Sequence, residues 1–441
     1  MINDGISKRD ELEAYFNKYP DVPKEVTIKE DMLRLGVTFT KEALGVAKNY
    51  RTKEYAGAIF SWDFVKGNEV EMDTFLQVPE RLDLTGGPYC LRGRVRVLTR
   101  LNPNSPYVVD VIDGRGKVCI KEGTRFVPVA DLHPFRPRPK YWEKHFEDGT
   151  PYREVSKAEA HPIIFKMCQH WGLKEECKFC DINENWRMAH QRGQAKMKKP
   201  YSKPEQVGEV IAEIFREERE PVDRAVGVFI DGGTVLQKVD SLREEDFGLR
   251  YVEAIREKIG TRWPVHLALH PKPKQVAKGM LERGLTGVSN NFEVWDKRLF
   301  GIICPGKQKV VGWDNWMKLM IEEVDVFGEG NVVGGFVAGV EMAQPWGFKE
   351  VDEAVKSTTQ GMEYLMRHGV VPRPLSWGIE GRSALAGHEP IPLDYFIKID
   401  TNWYELMSKY RLPAPCEALY ARRMGPGVWE FPLSAMGDVG G

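Results

Sequence analysis

From residue 160 to about 400, short apolar runs alternate with amphipathic stretches six times, and no other feature restricts the chain so tightly. Ile163–Met167, Ala225–Ile230, Val265–Leu269, Gly287–Phe292, Val332–Val337 and, more weakly, Val370–Ser376 read as strands. Between them, Ser202-Lys-Pro-Glu205 reads as a capping box that opens a helix with Val207, Ile211, Ile214 and Phe215 on one face. Comparable stripes are Phe247, Tyr251, Ile255 and Ile259, then Trp313 to Val324, then Val351 to Met366. Such alternation predicts right-handed βαβ units around a parallel sheet. Six strands are too few to close an eightfold barrel, so the expected fold is α/β, a partial (β/α)6 barrel spanning 151–400.

The first 150 residues read differently. Residues 1–45 are polar and helical in part, with Ser7 as a start signal. Leu91–Thr99, Tyr107–Ile112 and Val118–Val129 read as strands, and Asp113-Gly114 between two of them is a hairpin signal. A small β-rich accessory domain is expected over about 55–132. A proline-dense linker would follow over 133–150, and a C-terminal tail over 401–441. The 63 basic and 64 acidic residues nearly cancel. A nucleic-acid binder working by bulk electrostatics would carry a clear basic excess. No run of 18 apolar residues exists, and the start has no basic region followed by an apolar one. A cytoplasmic location away from membranes is expected.

Seven cysteines do not make a disulfide framework in a chain this large. Cys168, Cys177 and Cys180 stand apart from the others, in a C-x8-C-x2-C pattern that begins where the first barrel strand ends. Thiolates hold iron–sulfur clusters, and a cubane normally takes four, so three leave one iron open to a small chelating ligand. A structural zinc site of Cys168, Cys177, Cys180 and His170 satisfies the spacing equally well. Position favours the cluster. Active sites of barrel-like α/β folds collect at the C-terminal strand ends. Those ends carry Cys168, then Asp231-Gly-Gly-Thr234, His270, Asn290 with Asn291 and Glu293, Gly339-Val-Glu341, and Ser376.

With these residues in place, the stretch from about 160 to 400 resembles the core of the radical S-adenosylmethionine (SAM) enzymes. The usual signature of that family is C-x3-C-x2-C; the wider first gap here occurs in outlying branches. Phe179 matches the aromatic position near the adenine. Gly232-Gly233 matches the motif that receives the SAM amino group, with Thr234 where an acidic residue often stands. Gly339 to Glu341 resembles the glycine motif that supports the adenine. Asn290, Asn291, Glu293 and Ser376 are the remaining candidates for SAM contacts. The resemblance implies a [4Fe–4S] cluster on Cys168, Cys177 and Cys180, SAM on the open iron, and an external electron donor of flavodoxin or ferredoxin type. Reductive cleavage of SAM would yield a 5′-deoxyadenosyl radical that removes hydrogen from a small-molecule substrate.

On the substrate side, His266 and His270 share one side of the third strand, and His270 and Glu293 are the catalytic candidates. Glu380 and Arg382 follow the sixth strand and suit a polar substrate or surface salt bridges equally well. Cys304, with no cysteine near it in sequence, reads as a packed thiol. Asp131-Leu-His133 begins a cobalamin-like pattern, but Arg136 replaces its glycine. Two rivals remain: a zinc-dependent barrel hydrolase on the same cysteines, and a non-enzymatic iron–sulfur redox sensor.

Overall fold

The computed structural model describes residues 7–46, 50, 52, 78–85, 94–135, 137–156, 160–191, 199–217 and 227–412. The expectations that fall on 55–77, 91–93, 225–226, Arg136 and 413–441 lie outside these residues.

The barrel strands are β7 (Ile163–Phe165), β8 (Val228–Gly232), β9 (Val265–Ala268), β10 (Gly287–Ser289), β11 (Val332–Ala338) and β12 (Val370–Ser376). They lie side by side in chain order and all pair in parallel. This is the partial (β/α)6 barrel that the alternation predicts. Strand β12 is an edge, paired only with β11, which is where a strand carrying Pro372 and Pro374 is tolerated. The helices between the strands bury the expected stripes: Val207, Ile211 and Ile214; Phe247, Tyr251 and Ile255; Trp316, Met317 and Met320. The capping box does not form. Lys203, not Ser202, is the N-cap, and its ammonium has no acceptor to offer the first-turn N–H groups; Pro204 opens the first turn.

Upstream, β1 (Thr38–Phe39), β2 (Arg81–Thr85), β3 (Arg94–Leu98), β4 (Tyr107–Ile112), β5 (Arg115–Glu122) and β6 (Arg125–Leu132) form a second sheet in the order β1-β4-β5-β6-β2-β3. Asp113 and Gly114 both take positive φ, the mark of a two-residue hairpin turn. The expected single run Val118–Val129 is instead two strands, because Gly123 at φ 60° turns the chain back. The proline-dense 133–150 segment is no free linker either. Tyr141 and Trp142 are buried in the barrel's own core, and the Tyr141 hydroxyl donates to Ser156 O at 3.0 Å.

A helix at Lys24–Leu35 joins the two halves, and Val26 through Leu33 are all buried. Leu393 and Ile397, from the last helix (Leu393–Tyr410), belong to the accessory sheet's core. That helix crosses the expected boundary between barrel and tail at 400/401. Its partner helix buries charges as well as apolar residues. Asp31 lies 2.5 Å from Lys8 Nζ, 2.5 Å from Arg34 Nε and 2.5 Å from the Tyr107 hydroxyl. Burial pushes the Asp31 carboxyl up, but the Arg34 and Lys8 cations outweigh it and hold it below its ordinary range. A depressed carboxyl contributes stability above its unfolded pKa of about 4, and loses it as pH falls through the folded value. Asp31→Asn should therefore cost about 3 kcal/mol near neutrality, read by chemical denaturation. The deficit should shrink toward zero as the wild-type carboxyl protonates in acid. A pH-independent deficit would contradict the ion-pair account.

Candidate active site

The cysteine loop leaves β7 and is fixed on three sides. On the first, Asn183 clamps Cys168: its Oδ1 accepts from the Cys168 N–H at 2.6 Å, and its Nδ2 donates to the Cys168 carbonyl at 3.1 Å. On the second lies the turn after β8. Gln169 N–H donates to Thr234 O at 3.0 Å, while Gln169 Oε1 accepts from Leu236 N–H and Gln237 N–H at 2.6 and 2.5 Å. A Cβ on Gly233 would stand 1.9 Å from Met167 O and 2.9 Å from Cys168 Cα, so only glycine lets the two backbones meet here. On the third side, Lys178 N–H donates to Ile303 O and Leu385 N–H donates to Lys178 O. The eight-residue gap is an excursion through a 3-10 turn, Trp171–Leu173, closed by Lys174 at φ 56°.

All three cysteines are half-buried and unpaired. Burial pushes the Cys168 thiol up, as does neighbouring Cys177; hydrogen bonds from the His170 and Thr234 backbone and from the Thr234 side chain pull it back down. Cys180 is pushed well up by burial, and Cys177 and Cys168 add to the shift. Burial thus disfavours isolated thiolates at Cys168 and Cys180, whereas Cys177 is lowered, first by the Cys304 side chain. A bound cation would reverse that preference, because metal-ligating thiols are deprotonated outright. Among the described residues no group of three His, Cys, Asp or Glu side chains is placed to hold a single metal ion. A cubane, whose thiolates bind different irons, does not ask for convergence on one point. These residues fit a three-thiolate cluster.

His170 does not complete a Cys3His set. Its ring is buried against the backbone of Gly306 and lies 5.8 Å from the His270 ring, centroid to centroid. Burial, then Lys307, push it down to about 4. His270 is likewise buried, 5.2 Å from the Trp316 ring, and burial lowers it to about 4, so both rings are neutral near pH 7. His266 is fully buried too.

The other candidates divide. Gly233 and Thr234 lie directly against the cysteine loop, while Gly232 packs on the Phe165 backbone of β7. Phe179 is buried in the barrel core. Asn290 donates to Leu269 O at 3.1 Å, and its buried Oδ1 has no hydrogen-bond partner. Asn291 Oδ1 accepts from Ser289 at 3.0 Å. Glu293, at φ 74°, pairs with Lys307 at 2.5 Å, and Lys307 also donates to Asn291 O. Gly339, at φ 104°, donates its N–H to Glu341 Oε2 at 2.9 Å; the other Glu341 oxygen accepts from Thr358 and Tyr395. The Glu341 carboxyl thus already takes three donors from its own surroundings. Ser376 donates to Glu30 Oε2 of the accessory region at 2.6 Å. Glu380 is buried where Arg100, also from that region, crosses Gly378 and donates to Ile379 O at 3.0 Å.

Sequence reasoning passed over Lys307, Arg100 and the neighbour of Cys304. Cys304 is buried with its side chain against Cys177. Burial pushes Cys304 well up, whereas the hydrogen bond from Cys304 is the first cause that lowers Cys177. Only the unusual sequence Ile303-Cys-Pro-Gly-Lys307 signalled this segment.

No protein-family model matches the chain, and no curated protein matches it. Similar solved structures include HydG, described as a maturase of the [FeFe]-hydrogenase, at 11% identity and TM-score 0.36 over 63% of this chain and 56% of that one. Methylornithine synthase (PylB) matches at 15% identity and TM-score 0.40 over 60% and 71%. Coproporphyrinogen III oxidase (HemN) from Escherichia coli, described as a radical SAM enzyme, matches at 13% and 0.34 over 57% and 51%. This chain covers little more than half the length of the first of these.

The close approach at Gly233 yields a direct test. Gly233→Ala must displace the cysteine loop, and iron retained after anaerobic reconstitution should fall by about half or more, with far-ultraviolet circular dichroism unchanged. Full iron loading in that variant would show that the contact does not hold the loop.

Proposed function

We propose that this chain is a radical SAM enzyme with one [4Fe–4S] cluster on Cys168, Cys177 and Cys180. One observation carries the reading: Cys168, Cys177 and Cys180 stand on one loop at the C-terminal rim of a parallel six-stranded partial barrel, with Cys168 pressed against Gly233 of the turn from the next strand. When bound, the cluster and SAM supply one-electron cleavage of the sulfonium and the 5′-deoxyadenosyl radical that takes hydrogen from a small-molecule substrate.

The chain's own residues supply position. Asn183 and Thr234 orient Cys168. The backbone around Gly232, Gly233 and Thr234 suits a SAM amine, since it is the part of the rim nearest the thiols. Phe179 and the backbone of Gly339 remain the adenine-side candidates. Asn290, with its orphaned buried oxygen, and Asn291 are the polar candidates. Glu341 is better suited to holding the turn at Gly339 than to touching a ligand, because three donors already occupy it. Likewise, Glu293 serves through its ion pair with Lys307. His270, neutral and packed between His170 and Trp316, supports the loop rather than transferring protons. Electrons would come from an external donor of flavodoxin or ferredoxin type. Among the described residues no helix is long and apolar enough to cross a membrane.

The test is product formation. Protein reconstituted anaerobically with iron and sulfide, then reduced with dithionite, should convert SAM to 5′-deoxyadenosine. Cys168→Ala, Cys177→Ala and Cys180→Ala should each fall to background. Wild-type protein that carries a cluster yet forms no deoxyadenosine would contradict the reading and favour the redox sensor.

A further inference from the structure

Strands β8 and β12 meet across the inside of the barrel. Three strands separate them in the sheet, yet the Arg373 guanidinium carbon lies over the Phe229 ring, 5.3 Å from its centre. Only the concave face of the curled sheet allows that approach. Side-chain alternation agrees. Leu267 packs outward on Gly248 of the Glu244–Ile259 helix, and Ile230 is its register partner, so Phe229 and Asp231 point inward. His161 flanks both, with its ring 5.0 Å from the Phe229 ring and its Nε2 3.5 Å from Asp231 Oδ2. Arg373 pairs in register with Gly335, and Asn291 Oδ1 fills the place that a Gly335 side chain would take. A cation, a carboxylate and a neutral amide thus share the barrel interior. Asp231 stands only two residues before Gly233, the glycine that meets Cys168.

We propose that this interior binds a small amino acid, with its carboxylate on the Arg373 fork and its ammonium toward Asp231. The inference names the substrate class for the radical SAM reading above and rests on that reading for the role of the site. A guanidinium presents five N–H donors in a planar fork, which matches a carboxylate or a phosphate. Asp231 decides between the two. Burial pushes its carboxyl up, but His161 and Arg373 outweigh burial and hold it below its ordinary range. It is therefore ionised near neutrality. Beside that negative charge a phosphate dianion is repelled, whereas a ligand with one carboxylate and one ammonium matches both partners. The place under the cysteine rim also suits a substrate, because the C-terminal strand ends are where such barrels do their chemistry.

The experiment follows the melting temperature of the iron-loaded protein with each standard L-amino acid, tested beside its amide and its decarboxylated amine, and with a set of sugar phosphates. At least one amino acid should raise the melting temperature, and neither of its two derivatives should. Arg373→Lys keeps the charge but loses the fork, so calorimetry should show that amino acid binding at least about tenfold more weakly. Unchanged affinity in that variant overturns the proposal. So does wild-type protein that responds to no amino acid, to the amide as strongly as to the acid, or to the phosphates alone; these comparisons need no variant to fold. Iron uptake and deoxyadenosine formation are read separately. An amino acid that binds a chain lacking both overturns the parent reading and leaves the binding site standing.

Discussion

Two backbones in near contact set the geometry of the rim. The Gly232-Gly233 turn reaches Met167 and Cys168 so closely that no side chain fits between them. From that contact follow the Thr234 hydrogen bonds to Cys168, the Gln169 ties to the same turn, and the emergence of the cysteine loop over the strand ends. The glycine pair permits this close packing, and its own amides are taken up by the fold: Gly232 N–H donates to Asp231 Oδ1 at 2.7 Å and Gly233 N–H to Phe165 O at 2.8 Å.

The accessory region is bound to the barrel by buried polar groups as much as by apolar packing. The Lys24–Leu35 helix brings Glu30 to Ser376, and Arg100 reaches Leu33 O and Ile379 O at 2.7 and 3.0 Å. An unpaired charge in such an interior costs several kcal/mol, so these groups hold the two halves in a specific register once they are matched. At β12 the Lys24–Leu35 helix meets Ser376 through Glu30, and the last helix donates from Trp403 Nε1 to Pro372 O at 2.8 Å. A sheet edge with free hydrogen-bonding groups is thereby covered.

The barrel was legible because its strands are short apolar runs and its helices carry one-sided stripes, both local patterns. The three cysteines and the Gly-Gly-Thr turn were legible for the same reason. What sequence could not display were contacts across the fold. Cys304 looked solitary because the cysteine loop lies far from it along the chain, and the two segments are joined only by the Lys178–Ile303 and Gly306–Glu175 backbone hydrogen bonds. His170 looked like a fourth metal ligand because it lies close to Cys168 in sequence, yet the 3-10 turn carries its ring to His270. Glu341 looked free on a strand end, but Thr358 and Tyr395, from distant helices, take up its carboxylate. The Val118–Val129 run hid a turn because one glycine suffices to reverse the chain.

The most direct measurement is the electron paramagnetic resonance spectrum of the dithionite-reduced, anaerobically reconstituted protein, recorded with and without SAM. The account predicts a reduced [4Fe–4S] signal whose g-values change when SAM binds the iron that the three cysteines leave open. A colourless protein that retains one zinc ion per chain and gives no such signal would contradict it.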